Sequence, residues 1–166
     1  MDDRSAAASR EAAGPAIGSL EDIWPLQAAL NAKAGFDTEA IGRALAAPGS
    51  AQAGSPAALA AGRALKNYLD ALVSECHELQ GCLWWKHWYK EARQGRQYEL
   101  HDLQNARVEA IDMLFFWVSI CQLLGLSPQD VYRLYAGKLG INHARQDQDR
   151  TQAQHGQHEQ ENRSVV

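Results

Sequence analysis

Apolar positions between Leu20 and Arg145 recur at helical spacing, and the breaks between the periodic runs carry helix-start and helix-stop residues. The first run covers residues 20–34. Ser19-x-x-Asp22 reads as a capping box ahead of it. Pro25 inside this run either kinks the helix or marks its true start. A short second helix follows Asp37, a candidate N-cap, to about Leu45. Residues 46–55 form an Ala/Gly/Pro/Ser-rich flexible loop. Ser55-Pro56 then opens, and Gly81 stops, a long helix over 56–80. Residues 82–98 have no period and read as a loop or a short helix. A fourth helix is expected over 99–124, ended by Gly125. Ser127-Pro128 opens a fifth that reaches Arg145, with Gly137 and Gly140 as points of interruption. No segment alternates apolar and polar residues as a half-buried strand must. The pattern predicts an all-α protein with a four-helix-bundle-like core of about five helices, spanning residues 19–146. Residues 1–18, rich in Ala and Ser, read as a disordered leader, and residues 147–166 as a disordered Gln-rich tail.

A chain of 166 residues is long enough for one such domain with tails. Sixteen basic residues against 20 acidic ones leave a net charge of −4, which argues against binding to a nucleic acid polymer. No run of 18 apolar residues is present, so no membrane span is expected, and the N-terminal residues lack the apolar core of a secretory signal. Three cysteines, Cys76, Cys82 and Cys121, are too few for a disulfide framework and fit a reducing, cytoplasmic setting as packing residues.

The informative anomaly is acidic. On the 56–80 helix, Leu65, Leu69, Leu72, Cys76 and Leu79 form an apolar face, with Glu75 on its flank and Glu78 one turn on. Residues 110–126, AIDMLFFWVSICQLLGL, are apolar almost all round, the signature of a buried helix. Asp112 interrupts that run and Glu109 stands one turn before it, with Met113, Phe116, Ile120 and Leu123 around them. An unpaired buried carboxylate has an idealised desolvation cost of order 20 kcal/mol, and several kcal/mol remain after relaxation. Protonation, an Arg or Lys partner, or a cation must offset it. Two acidic pairs at i, i+3 on helices expected to face each other favour a cation. Oxygen ligands select Mg²⁺, with Mn²⁺ as a substitute, over zinc.

Glu75-x-x-Glu78 followed by Glu109-x-x-Asp112 resembles the metal-binding signature of the all-α NTP pyrophosphatases, the MazG-like enzymes and the dimeric dUTPases. Four further segments are similar in the same order: Leu26-Gln27-x-x-Leu30-Asn31, Trp84-Trp85-Lys86, Asp112-x-x-x-Phe116 and Lys138-x-x-x-Asn142-x-x-Arg145. The chain departs from the family in the long spacing between Glu78 and Glu109 and in lacking a Gly-Tyr after Arg145-Gln146.

The resemblance implies a Mg²⁺-dependent nucleoside triphosphate pyrophosphohydrolase, most like a dUTP diphosphatase that releases dUMP and pyrophosphate. It implies a homodimer or homotetramer with the fourth helix in or near the interface. By this analogy Glu75 orients or deprotonates the attacking water. Glu75, Glu78, Glu109 and Asp112 hold metal. Gln27, Asn31, Trp84, Trp85 and Lys86 hold the nucleoside. Lys138, Asn142 and Arg145, which share a helix face, grip the phosphates. The metal motif alone does not choose the base, so hydrolysis of dGTP, dATP or dCTP is the nearest alternative. A non-catalytic helical interaction module is the other.

Overall fold

A computed structural model describes residues 18–147 and 155–165. The leader expected over residues 1–18 lies, Gly18 excepted, outside the described residues. In chain order the helices are α1 (Leu20–Lys33), α2 (Thr38–Ala46), α3 (Pro56–Gly81), the single turn α4 (Lys90–Arg93), α5 (Leu103–Leu123), α6 (Pro128–Asp147) and α7 (His155–Arg163). The fold is all-α, and its core is built by α1, α2, α3 and α5.

Side-chain caps fix where the helices begin. The Asp22 N–H donates to Ser19 Oγ, that of Ala40 to Asp37 and that of Ala58 to Ser55. Each such cap is worth about 1 kcal/mol. At α6 the box is reciprocal: the Asp130 N–H donates to Ser127 Oγ, while the Ser127 hydroxyl and N–H donate to Asp130 Oδ2. Those bonds, the hydroxyl's first, hold the Asp130 carboxyl down at about 2, with help from Arg133.

Helix α1 starts at Leu20 as expected, with Pro25 inside it and not at its start. Three expectations need adjustment. Helix α5 starts at Leu103 rather than at residue 99, because Asp102 caps it and the preceding residues are held elsewhere. Helix α6 runs unbroken through Gly137 and Gly140. The tail, expected to be without structure, contains α7, which packs on α6.

The segment between α3 and α5 is pinned at its two ends. Leu83 and Leu100 form an isolated antiparallel bridge, with Trp84 N–H donating to Glu99 O and His101 N–H to Cys82 O. This clamp sets the antiparallel course of α3 and α5. Cys82 meets Asn105 at one end, and Tyr68 packs against Phe116 further along.

Trp24, Val118 and Cys121 are the buried centre where α1 meets α5, and Leu20, Ile23, Leu114, Leu126 and Val131 pack around them. Burial pushes the Cys121 thiol up to about 11. Helix α2 lies close against the end of α5. A Cβ at Gly42 would come within 2.1 Å of the Gln122 carbonyl oxygen, so only glycine fits there.

Two apolar faces differ from the expectation. On α3, Leu65, Leu72 and Leu79 are half-buried as expected, but so are Ala64, Tyr68, Ala71 and Glu75 beside the buried Ala61, whereas Leu69 and Cys76 are exposed. The alanines let the backbones approach and turn Glu75 from the flank toward the centre. Helix α5, expected to be buried all round, exposes Val108, Ile111 and Phe115 along one side. An apolar groove of about 320 Å³ runs beside them, lined by Ile23, Leu26 and Leu114. Among the described residues no single helix is long and apolar enough to cross a membrane.

Candidate metal centre

Helices α3 and α5 bring Glu75, Glu78 and Glu109 together. Each offers a carboxylate oxygen, and these oxygens lie within 4.8 Å of one another. Glu109 is buried, Glu75 half-buried and Glu78 exposed. Asn105, one turn before Glu109 on α5, donates its Nδ2 to Glu109 Oε1 at 2.9 Å and so fixes that carboxylate. Asp112 lies near the group but is not among the three whose oxygens come together. It lines a cavity with Glu75, and its charge is among those that act on Glu75. Desolvation, followed by the negative charges of Glu78, Asp112 and Glu109, raises the Glu75 carboxyl above its ordinary range.

No Lys, Arg or His among the described residues forms an ion pair with any of these four acids. The donors that reach them are neutral: Asn105, and Ser74 Oγ at 3.4 Å from Glu78. An oxygen-only cluster of uncompensated negative charge fits a hard divalent cation and does not fit a zinc site of nitrogen and sulfur ligands.

The cavity beside the cluster has a volume of about 730 Å³. This lies within the usual range for small-molecule sites. Glu75 and Asp112 form part of its wall, Tyr68, Phe36 and Phe116 supply aromatic surface, and Gln27 and Asn31 contribute amides from α1. Tyr68 meets both phenylalanines, with ring centroids 6.2 and 6.3 Å away. Along α5, Asp112 precedes Ser119 by seven residues, about 10 Å of helix, and Ser119 holds the two α1 amides. The cavity therefore runs from carboxylates to amides over roughly the length of a nucleoside.

Gln27 and Asn31 are buried, not surface residues. Gln27 Nε2 donates to Asn31 Oδ1 and to Ser119 Oγ, at 3.0 and 3.1 Å. Asn31 Nδ2 donates to Ser119 Oγ at 2.9 Å and also reaches Thr38 and Gln122. Thr38 donates to Gln122 Oε1 at 2.7 Å, and Gln122 Nε2 donates to the Trp24 carbonyl. Gln27 Oε1 takes part in none of these bonds.

The remaining candidates lie elsewhere. Trp84, Trp85 and Lys86 line a separate pocket of about 380 Å³ with Tyr89 and Glu91. Trp84 stacks on His101 at 3.7 Å, and its buried indole N–H has no hydrogen-bond partner among the described residues. Lys86 sits over the Trp85 and Tyr89 rings. Helix α6 packs chiefly on α1 and α7, so within one chain the Lys138, Asn142 and Arg145 stripe is not assembled with the carboxylates. Sequence reasoning missed Tyr68, Phe36, Asn67, Thr38, Ser119 and Gln122 as cavity or support residues. For Ser119 and Gln122 a signal existed: like Asp112, they interrupt the apolar α5 run.

Comparison of the chain with family models, with curated proteins and with solved structures finds no match.

Proposed function

We propose that this protein is a Mg²⁺-dependent nucleoside triphosphate pyrophosphohydrolase, with dUTP the favoured substrate and dUMP and pyrophosphate the products. The observation that carries the reading is the shared wall of carboxylates and cavity. Glu75 belongs both to the acidic cluster and to the wall of a nucleoside-sized cavity, which Asp112 also lines and to which the Gln27 and Asn31 amides contribute. Glu75, Glu78, Glu109 and Asp112 would hold the metal, which when bound supplies charge neutralisation at phosphate oxygens and acidifies coordinated water.

The chain's own residues have definite tasks in this reading. Glu75, whose carboxyl is raised by burial and like charge, is suited to orient and accept a proton from the attacking water. Asn105 keeps Glu109 in place. The aromatic wall shields the nucleoside from water, and Gln27 Oε1, outside the network that holds the rest of its amide, is an acceptor for an imide N–H. The resemblance alone gives Trp84, Trp85 and Lys86 a role toward the nucleoside, and Lys138, Asn142 and Arg145 one toward the phosphates, since within one chain the former line their own pocket and the latter lie on α6, away from the carboxylates. The exposed Val108–Ile111–Phe115 side of α5 is the surface on which two copies would join as a homo-oligomer in the cytoplasm.

A panel of dNTPs and NTPs with MgCl₂ and pyrophosphate detection tests the reading. It predicts release of pyrophosphate and dUMP, fastest with dUTP. Preferred turnover of a purine nucleotide or of dCTP would overturn the substrate assignment, and no turnover of any nucleotide would overturn the enzymatic one.

A further inference from the structure

Helix α7 sits on the cationic stripe of α6. Lys138 Nζ donates to Asn162 Oδ1. Arg145 Nε donates to Glu161 Oε2 at 2.9 Å, and Arg145 Nη2 donates to Asn162 Oδ1 at 3.1 Å. The Arg145 side chain is left only 15% exposed. Contact continues at Gly137, where a Cβ would stand 3.1 Å from Val165 Cγ1, so the missing side chain makes room for the end of α7. Oxygen atoms from two neighbouring residues of α7 thus engage an ammonium and a guanidinium seven residues apart on α6. A planar guanidinium facing a carboxylate uses the same fork of N–H groups with which it binds phosphate.

We propose that α7 is an autoinhibitory strap: Glu161 and Asn162 occupy the α6 cations as internal stand-ins for phosphate oxygens, and a polyphosphate must displace them to bind. The inference rests on the assignment of Lys138, Asn142 and Arg145 to phosphate, and adds regulation of that site by the chain's own tail. Binding then reads as the intrinsic affinity multiplied by the fraction of molecules whose strap is open. If about one molecule in ten is open, releasing the strap tightens apparent binding about tenfold.

The test uses the full chain, with inorganic tripolyphosphate as the probe and calorimetry in EDTA, so that no divalent ion links the probe to the carboxylates. E161A/N162A is expected to bind tripolyphosphate about tenfold more tightly than the parent. Gly137→Leu, which pushes Val165 away without altering charge, is expected to shift binding in the same direction. Adding Arg145→Ala to E161A/N162A is expected to abolish the gain. Equal binding by parent and both strap variants, or a gain that survives Arg145→Ala, would overturn the proposal. With nucleotide and MgCl₂, E161A/N162A should lower KM and leave kcat unchanged, a split that a purely structural role for α7 does not produce. Failure of every variant to hydrolyse a nucleotide would count against the enzymatic reading, while the tripolyphosphate titration still decides for or against the strap.

Discussion

Two polar groups lie on the core-facing side of α5, and they solve burial in opposite ways. Toward its C-terminal end, Gln27, Asn31, Thr38, Ser119 and Gln122 are neutral and pair with one another, donor to acceptor, across α1, α2 and α5. Two turns toward its N-terminus, Glu75, Glu78, Glu109 and Asp112 are acceptors when ionised, and among the described residues only Asn105 and Ser74 offer them a side-chain donor. The first group is closed: each strong donor finds an acceptor inside the protein, and the result ties three helices together. The second is open: its charges repel, and Glu75 responds by holding its proton more tightly. Buried polar groups that satisfy one another specify a fold. Groups of one sign gathered around a buried carboxylate, here Glu109, favour a partner from outside.

Breaking the closed group should have the largest effect. Gln122→Ala removes the acceptor of the Thr38 hydroxyl and a donor to the Trp24 carbonyl, and leaves a void at a fully buried side chain. It should destabilise by about 3 kcal/mol, read as a lower urea midpoint at unchanged slope. A variant as stable as the parent would show that the network contributes little.

A smaller effect, of opposite character, belongs to the open group. Because the folded Glu75 carboxyl is raised above its unfolded value, the native state binds that proton more tightly. Its contribution to stability is present below the ordinary carboxylate range and is lost as pH rises through the raised value. In EDTA the urea midpoint should therefore decline as pH rises above the ordinary carboxylate range, and Glu75→Gln should flatten the decline. Asp130 works in the reverse sense: its contribution is present above the ordinary carboxylate range and fades as pH falls from there through about 2, on the acid side of the Glu75 change.

The sequence made some of this legible and hid the rest for physical reasons. Helix starts at Ser19, Asp37, Ser55 and Ser127 were readable because capping is local chemistry. The start of α5 was not, because Asp102 competes with Glu99 as a boundary and a tertiary bridge between Leu83 and Leu100 decides between them. Asp112 stood out as a charge in an apolar run. Ser119 and Gln122 interrupt the same run, but neutral side chains carry no sign to match against a partner, and their partners lie more than 80 residues away. The inward face of α3 was read in part: Leu65, Leu72 and Leu79 are half-buried as expected, but Leu69 and Cys76 are exposed, and the small residues Ala61, Ala64 and Ala71, which also face inward, carry little hydrophobic signal. Helix α7 went unseen because its residues have no apolar stripe and it docks through Lys138 and Arg145.

Thermal unfolding of the parent and of Asp112→Ala, each with EDTA and with millimolar MgCl₂, tests the acidic centre most directly. A cation bound only by the native state must raise its midpoint. MgCl₂ is expected to raise the melting temperature of the parent by several degrees and to leave Asp112→Ala unmoved. A parent whose melting temperature ignores MgCl₂, or an Asp112→Ala variant that gains as much as the parent, would contradict a divalent-cation site at these four carboxylates.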